Sequence, residues 1–489
     1  MNYKRFTVLG ALTLALVVGS MMLSNHKTRA MVATCSVPLV YPTIQSAVDN
    51  PGCSTINVAS GTYAESVTIG RPLTLNGPNF GVSAFGSRDQ EAIVTSAATT
   101  FNLTDGTNVT IDGFTINGDF GIYPSISTTG LSILNNIISG TTRAVSLDAP
   151  GDGTSLLNND LFSNTRSLHI GGGSGPHTTL KINGNRFSGP LASTGIFFSG
   201  SSNTITGFEF KNNMLQHWAN MAATITDATI SGNTVSVVGG MQIDLHNSTV
   251  SGNSFDGGGL TECIQLFGSQ FGLVPSEHVT VSGNTFNHCY RYAIQLSPDI
   301  HDISITGNEI TNGTGDGVNT RDATLWTVPA TIHINRNNIT GNSNFGVNNT
   351  VSGILDATCN WWGAINGPGP VGPGSGDRVS MNVTFAPWLI APAPGSPCGA
   401  TKKECEKFYE DQKKDFDKQQ EADKKAFEQQ QKADKQAFDA APHTPAQKKA
   451  FQDQQEANKK AFHDQQEADK KAFEQQNQTN KEQCKSLPK

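Results

Sequence analysis

The chain has 489 residues, with 50 glycines, 8% aromatic residues and a formal charge of −7. Residues 36 to 397 hold 11 Lys and Arg against 23 Asp and Glu, a net of −12, whereas residues 398 to 489 hold 19 against 18, a net of +1. So acidic a segment lacks the clustered cations that phosphate binding requires, which excludes nucleic acid; a polyanion would need bridging metal ions or a local basic spot.

The chain opens with Lys4 and Arg5, an apolar run from Phe6 to Leu23, and small residues near Ala30 and Ala33. This pattern predicts an export signal over residues 1–33. The length of the run and the following Lys27 and Arg29 keep an uncleaved membrane anchor as the alternative, and it is the only route by which a membrane becomes a partner. Eight cysteines in an exported chain predict disulfides, although eight allow 105 pairings. Pairing sequence neighbours gives Cys35 with Cys53, Cys263 with Cys289, Cys359 with Cys398, and Cys405 with Cys484. Next, Ile44, Ala47 and Val48 form one apolar face of a short helix able to cover the first turn of whatever follows.

From residue 131 one phrase recurs: an apolar strand, then Asn, any residue, and an apolar residue. Its anchors are Asn136, Asn159, Asn185, Asn213, Asn233, Asn253, Asn284, Asn308, Asn337 and Asn360, spaced by 20 to 31 residues. A period in the twenties with insertions is a solenoid signature. Nine to eleven residues after each anchor but the last comes an inward pair spaced by two, from Val145/Leu147 through Ala223/Ile225 and Ile243/Leu245 to Val347/Asn349. That spacing is a strand, and the repeat has no room for a helix. Parallel strands stacked about 4.8 Å apart would turn the anchors into a ladder of amides.

The entry segment YPTIQSAVDNPGCSTINVASGTYAESVTI, the SGN-x-F coils and the closing NWWGAINGPGP followed by FAPWL resemble the right-handed parallel β-helix proteins of pectin-lyase-like fold. The resemblance covers residues 36–397 and implies the fold; lyases, hydrolases, epimerases, adhesins and inert scaffolds all share it. In the closing phrase Trp362 falls where Phe187, Phe255 and Phe286 fall and should point inward as a stopper, while Trp361 alternates outward, either as part of that stopper or as a platform for a sugar ring.

The residue between each inward pair forms an outward stripe: Ser146, His169, Phe197, Thr224, Asp244, Gln265, Gln295, Asn319 and Asn348. Its C-terminal half is a row of carboxylate and amides suited to sugar hydroxyls, flanked by His246, Arg291, Tyr292 and Arg321. His246, Arg291 and Tyr292, with Asp244, Gln265, Gln295, Asn319 and Asn348, are the candidate glycan contacts. If the repeat superimposes there, Glu262 and Asp316 sit two coils and about 9.6 Å apart, near the upper limit for an inverting carboxylate pair. Glu262, Asp316 and Arg321 are therefore the candidate catalytic set. The competing reading is a water-facing polar surface, with Asp316 in GTGDG making a turn. His278, His288 and His301 are close in sequence, but their spacings match neither one strand nor one coil, so no metal site is expected. The Gly-His-Gly element and adjacent Asp pair that mark polygalacturonate hydrolases of this fold are absent, as are recognisable lyase phrases. No cofactor is implied; calcium stays open.

After residues 398–404 the composition changes to Lys, Glu, Asp, Gln, Ala and Phe. Phe416, Phe427 and Phe438 are eleven apart, as are Phe451, Phe462 and Phe473, so each set lies along one helix face. The prolines of AAPHTPAQ should break the helix between them. Phe416 with Phe473, Phe427 with Phe462, Phe438 with Phe451 and Cys405 with Cys484 share one constant sum of residue numbers, which predicts an antiparallel hairpin over 405–485. Its mixed charges fit either a solvated spacer or an arm that contacts the cell envelope or another protein. The leading functional reading is an exported or surface protein that binds polysaccharide or adheres without catalysis. A polysaccharide lyase or glycoside hydrolase and an inert scaffold are the alternatives.

Overall fold

The computed structural model describes residues 33–124, 128–147, 151–171, 177–190, 194–198, 204–236, 240–268, 274–321 and 326–487. The export-signal reading lies, but for its last residue, outside them. Up to residue 384 the chain winds into a β-helix whose coils each contribute short strands to three columns. The first column runs from Ala33–Val37 to Val383–Thr384, the second from Gly61–Ala64 to Asn338–Thr340, and the third from Val67–Ile69 to Gly376–Val379. Strands pair in parallel with their equivalents one coil away, as Ser132–Leu134 does with Ser155–Leu157.

The repeated phrase has a backbone cause. The residue before each anchor, from Asn135 through Gly184 and Gly232 to Cys359, has φ between 55° and 69°. That left-handed conformation turns the chain from first to second column; it costs Gly nothing and Asn little, which is why SGN and NN recur. Arg336 and Cys359 adopt it without that advantage.

All ten anchors are buried and form one continuous ladder. The backbone N–H of each donates to the side-chain oxygen of the next at 2.8 to 2.9 Å, from Asn136 onto Asn159 to Asn337 onto Asn360. Each Nδ2 also donates to a carbonyl one coil back, as Asn233 does to Phe210 at 2.8 Å. The bend's polar groups are thus satisfied inside a solenoid where no water reaches them. Alongside, inward side chains stack in files; the Phe255 and Phe286 rings lie 4.9 Å apart.

Helix α1 (Ile44–Val48) covers the N-terminal end with Ile44, Ala47 and Val48 buried, opened by a capping box between Thr43 and Ser46. At the other end Trp362 is fully buried in the core. Trp361 packs outward against a second apolar cluster of Ile365, Ile390, Ala391, Ala400, Cys405, Tyr409, Cys484 and Leu487. Both tryptophans are therefore part of the stopper, and the root of the tail covers the outer one.

The tail is the expected hairpin, α2 (Lys402–Asp439) and α3 (Pro445–Gln483). Pro442 lies in the break, whereas Pro445 opens α3, where its missing N–H has no partner to lose. The three Phe pairs stack with centroids 4.1 to 4.2 Å apart. The hairpin is docked: the Tyr409 hydroxyl donates to the Ile390 carbonyl at 2.7 Å. Within the hairpin, Asn477 Nδ2 of α3 donates to the Tyr409 carbonyl of α2 at 2.9 Å. All four neighbour disulfides form, as suits an oxidising compartment. No helix among the described residues is long and apolar enough to cross a membrane.

Candidate functional site

The outer face of the third column carries the stripe, with a correction to its register. Successive strand pairings align Ser146, His169, Phe197, Asn220, Gln242, Gln265, Gln295, Asn319 and Asn348. Thr224 and Asp244, expected in this row, are not in it. In the two coils where anchors are only 20 residues apart, Trp218–Thr226 and Met241–Ser251 run as unbroken strands from the third column to the next bend. Apolar alternation continues through both, so a shift of two or four residues leaves the pattern unchanged. The inward pairs there are Ala219/Met221 and Met241/Ile243.

The amides of the stripe are linked across coils. Asn220 Nδ2 donates to Gln242 at 3.4 Å, Gln242 Nε2 to Gln265 at 3.0 Å, and Gln265 Nε2 to the Ser297 hydroxyl at 3.1 Å. Two buried acceptors, Asn220 Oδ1 and Gln295 Oε1, have no hydrogen-bond partner among the described residues.

The candidate catalytic residues gather at the corner that enters this column. Tyr292 pairs in register with Asp316, and Glu262 precedes Ile264 as Tyr292 precedes Ile294, so Tyr292 stands between the two carboxylates. Cys263–Cys289 clamps the corner. Glu262 accepts from Arg291 Nη1 at 3.4 Å. Asp316 is buried and accepts from Asn319 Nδ2 and Asn348 Nδ2, both at 2.8 Å, and from the Phe345 N–H at 3.2 Å. Burial and the Glu262 charge push the Tyr292 hydroxyl up to about 12, against the opposing pull of Arg321 and Arg291. At neutral pH Tyr292 is a hydrogen-bond donor rather than a base. Asp316 organises the amides of its own and the next coil, with both oxygens already engaged by protein donors.

Asp244 and His246 belong to a second group beside the stripe. Asp244 is fully buried, and its Oδ1 faces His246 Nε2 at 3.1 Å and the Ser276 hydroxyl at 3.4 Å. His246 Nδ1 lies 3.5 Å from Glu277, which lies 3.4 Å from His301; Asp302 joins His278 at 3.4 Å and His301 at 3.1 Å. Of the three clustered histidines, His278 and His301 meet here, whereas His288 lies elsewhere, 3.6 Å from Asp256. Glu277 and Asp302 escaped the sequence reading, although counting back seven residues from Asn253, Asn284 and Asn308 aligns His246, Glu277 and His301. Burial lowers the His246 pKa, but the hydrogen bonds and charges of Asp244 and Glu277 outweigh it and raise the net value. No group of three or more His, Cys, Asp or Glu among the described residues is arranged to hold a metal ion.

In the N-terminal half the stripe changes character. Phe120, Arg143 and Arg166 pair in register on successive coils. Arg143 Nη1 lies 2.9 Å from the Ser146 hydroxyl and 3.0 Å from His169 Nδ1, and the His169 ring stacks on Phe197 at 5.9 Å.

Residues 177–361 match the family model described as right handed beta helix region. The coils form a right-handed parallel β-helix. Three solved structures share the likeness. The catalytic domain of a GH87 alpha-1,3-glucanase in complex with tetrasaccharides is 12% identical with a TM-score of 0.38, over 59% of this chain and 66% of that one. The catalytic unit of a thermostable GH87 alpha-1,3-glucanase from Streptomyces thermodiastaticus strain HF3-3 is 15% identical with a TM-score of 0.31, over 68% and 63%. An alginate lyase from Paenibacillus sp. str. FPU-7 is 12% identical with a TM-score of 0.23, over 72% and 98%. The β-helix chain thus spans just under two thirds of either glucanase chain. No curated protein matches it.

Proposed function

We propose that this β-helix is an exported protein that binds an extended polysaccharide along the outer face of its third column and does not cleave it. The supporting observation is the row of amides on consecutive coils from Asn220 to Asn348, which includes buried acceptors at Asn220 and Gln295 with no partner among the described residues. Side-chain amides repeated about every 4.8 Å offer donors and acceptors to a polymer running along the helix axis. Arg291, Tyr292 and Arg321 border the row. The reading needs no cofactor, nucleic acid or membrane, and the hairpin serves as a spacer or as a contact to the envelope. A catalytic alternative rests on Glu262, Asp316 and Arg321, but the three donors on Asp316 count against it as a general acid.

The test incubates the protein with plant, algal and bacterial polysaccharides, with and without calcium, and measures both retention and release of new sugar ends. Retention without release is expected, declining stepwise as Gln242, Asn319 and Asn348 are changed to Ala. Release that vanishes in Glu262→Ala or Asp316→Ala would replace this reading with the catalytic one.

A further inference from the structure

The N-terminal half of the stripe holds a feature that fold stability does not call for. Arg143 and Arg166 are register partners on adjacent coils, so two guanidinium groups start from backbones about 4.8 Å apart. Like charges directly opposite in a sheet are destabilising. Arg166 lies 3.9 Å over the Phe197 ring and has no carboxylate or hydrogen-bond acceptor for its guanidinium among the described residues. Burial and the charge of Arg143 both disfavour its protonated form. The neighbouring groups continue the pattern: half-buried Arg143 sits 5.8 Å over the half-buried Phe120 ring, and His169, itself buried, lies between Arg143 and the half-buried Phe197. This is a flat, cationic and aromatic shelf in a segment whose net charge is −12.

A guanidinium covers an aromatic face well, and Arg166 serves as a lid for Phe197. That explains the stacking, but not a second arginine in register beside it with no carboxylate on Arg166. A planar fork held on a ring, its N–H groups without an acceptor among the described residues, suits bidentate binding of a carboxylate or sulfate. The same row turns to neutral amides from Asn220 onward, so a polymer along the face meets an anion site at one end and hydroxyl-binding amides at the other.

We infer that Arg166, with Arg143, His169 and Phe197, forms a subsite for the carboxylate or sulfate group of an acidic glycan. This rests on the proposed glycan-binding face and deepens it by naming the charge class of the ligand.

The experiment uses matched polymer pairs: polygalacturonate against its carboxyl-reduced form, and dextran sulfate against dextran. Retardation of the full chain is measured in native gels containing each polymer. At least one charged polymer is expected to retard the protein about tenfold more strongly than its neutral partner, and Arg166→Gln should erase that difference. The pair that responds distinguishes carboxylate from sulfate. Arg166→Lys keeps the charge without the fork and should recover only part of the preference. Thermal midpoints equal to that of the parent protein show that the variants are folded. Equal retardation by charged and neutral partners, or a preference that survives Arg166→Gln, overturns the anionic subsite and leaves the amide face standing. No retardation by any of the four overturns both.

Discussion

At the scale of single residues, His246 illustrates how the solenoid buries charge where two coils meet. It is flanked by Asp244 and Glu277, with His278 and His301 beyond. Its pKa is raised in the folded protein, so its contribution to stability is fully present below its unfolded value of about 6.5 and is lost as pH rises through the folded value. His246→Gln should therefore cost about 1–3 kcal/mol near pH 6, with the gap to the parent protein closing toward pH 9. Urea unfolding at several pH values measures it; a gap that widens with pH would refute the assigned ion pairs. The same residues mark the limit of what the sequence reveals. Asn anchors are legible because one residue type must recur at one backbone conformation. Asp244 and Gln242 both fit an outward position, and only strand pairing decides that Gln242 joins the stripe while Asp244 is buried against Ser276.

At the scale of elements, the Asn ladder and the Phe hairpin were both readable, because each is a periodic demand on residue type. The ladder's energetics follow from its connectivity. Asn233→Ala takes the acceptor from the Asn213 N–H and from one N–H of the Asn213 side-chain amide, whose other bond to the Ile182 carbonyl remains, and takes a donor from the Phe210 carbonyl. Each stranded buried group costs about 1–3 kcal/mol, so a loss of several kcal/mol is expected in denaturant unfolding. Asn233→Asp should recover only part of it, since a carboxylate accepts but cannot donate to Phe210. What periodicity did not mark is the root of the hairpin. Trp361, Ile390 and Tyr409 come from a coil, a loop and a helix, and only the folded chain brings them together.

At the scale of the whole molecule, the tail is welded to the solenoid rather than tethered to it, yet its arms are weakly stabilised from within. Two layers of the seam, Phe427/Phe462 and Phe438/Phe451, border a gap of about 940 Å³ lined largely by Lys, Gln and Glu. With so little apolar contact, the Cys405–Cys484 bridge, 79 residues apart in sequence, should carry much of the hairpin's stability. Replacing both cysteines with Ser should cost about 4–5 kcal/mol by loop entropy and lower the helical melting midpoint at 222 nm while the β-sheet signal holds. Coincident loss of both signals would mean that the hairpin and solenoid unfold as one unit.

The ladder also constrains how such a chain can vary in length. Every anchor from Asn136 to Asn337 is donor to the next coil and acceptor from the one before. Removing part of a coil breaks both links, whereas removing or duplicating a whole anchor-to-anchor segment restores them with equivalent partners. Lineages descended from this chain should therefore differ by whole coils of 20 to 31 residues, with the two ends kept and the middle counted out in discrete steps.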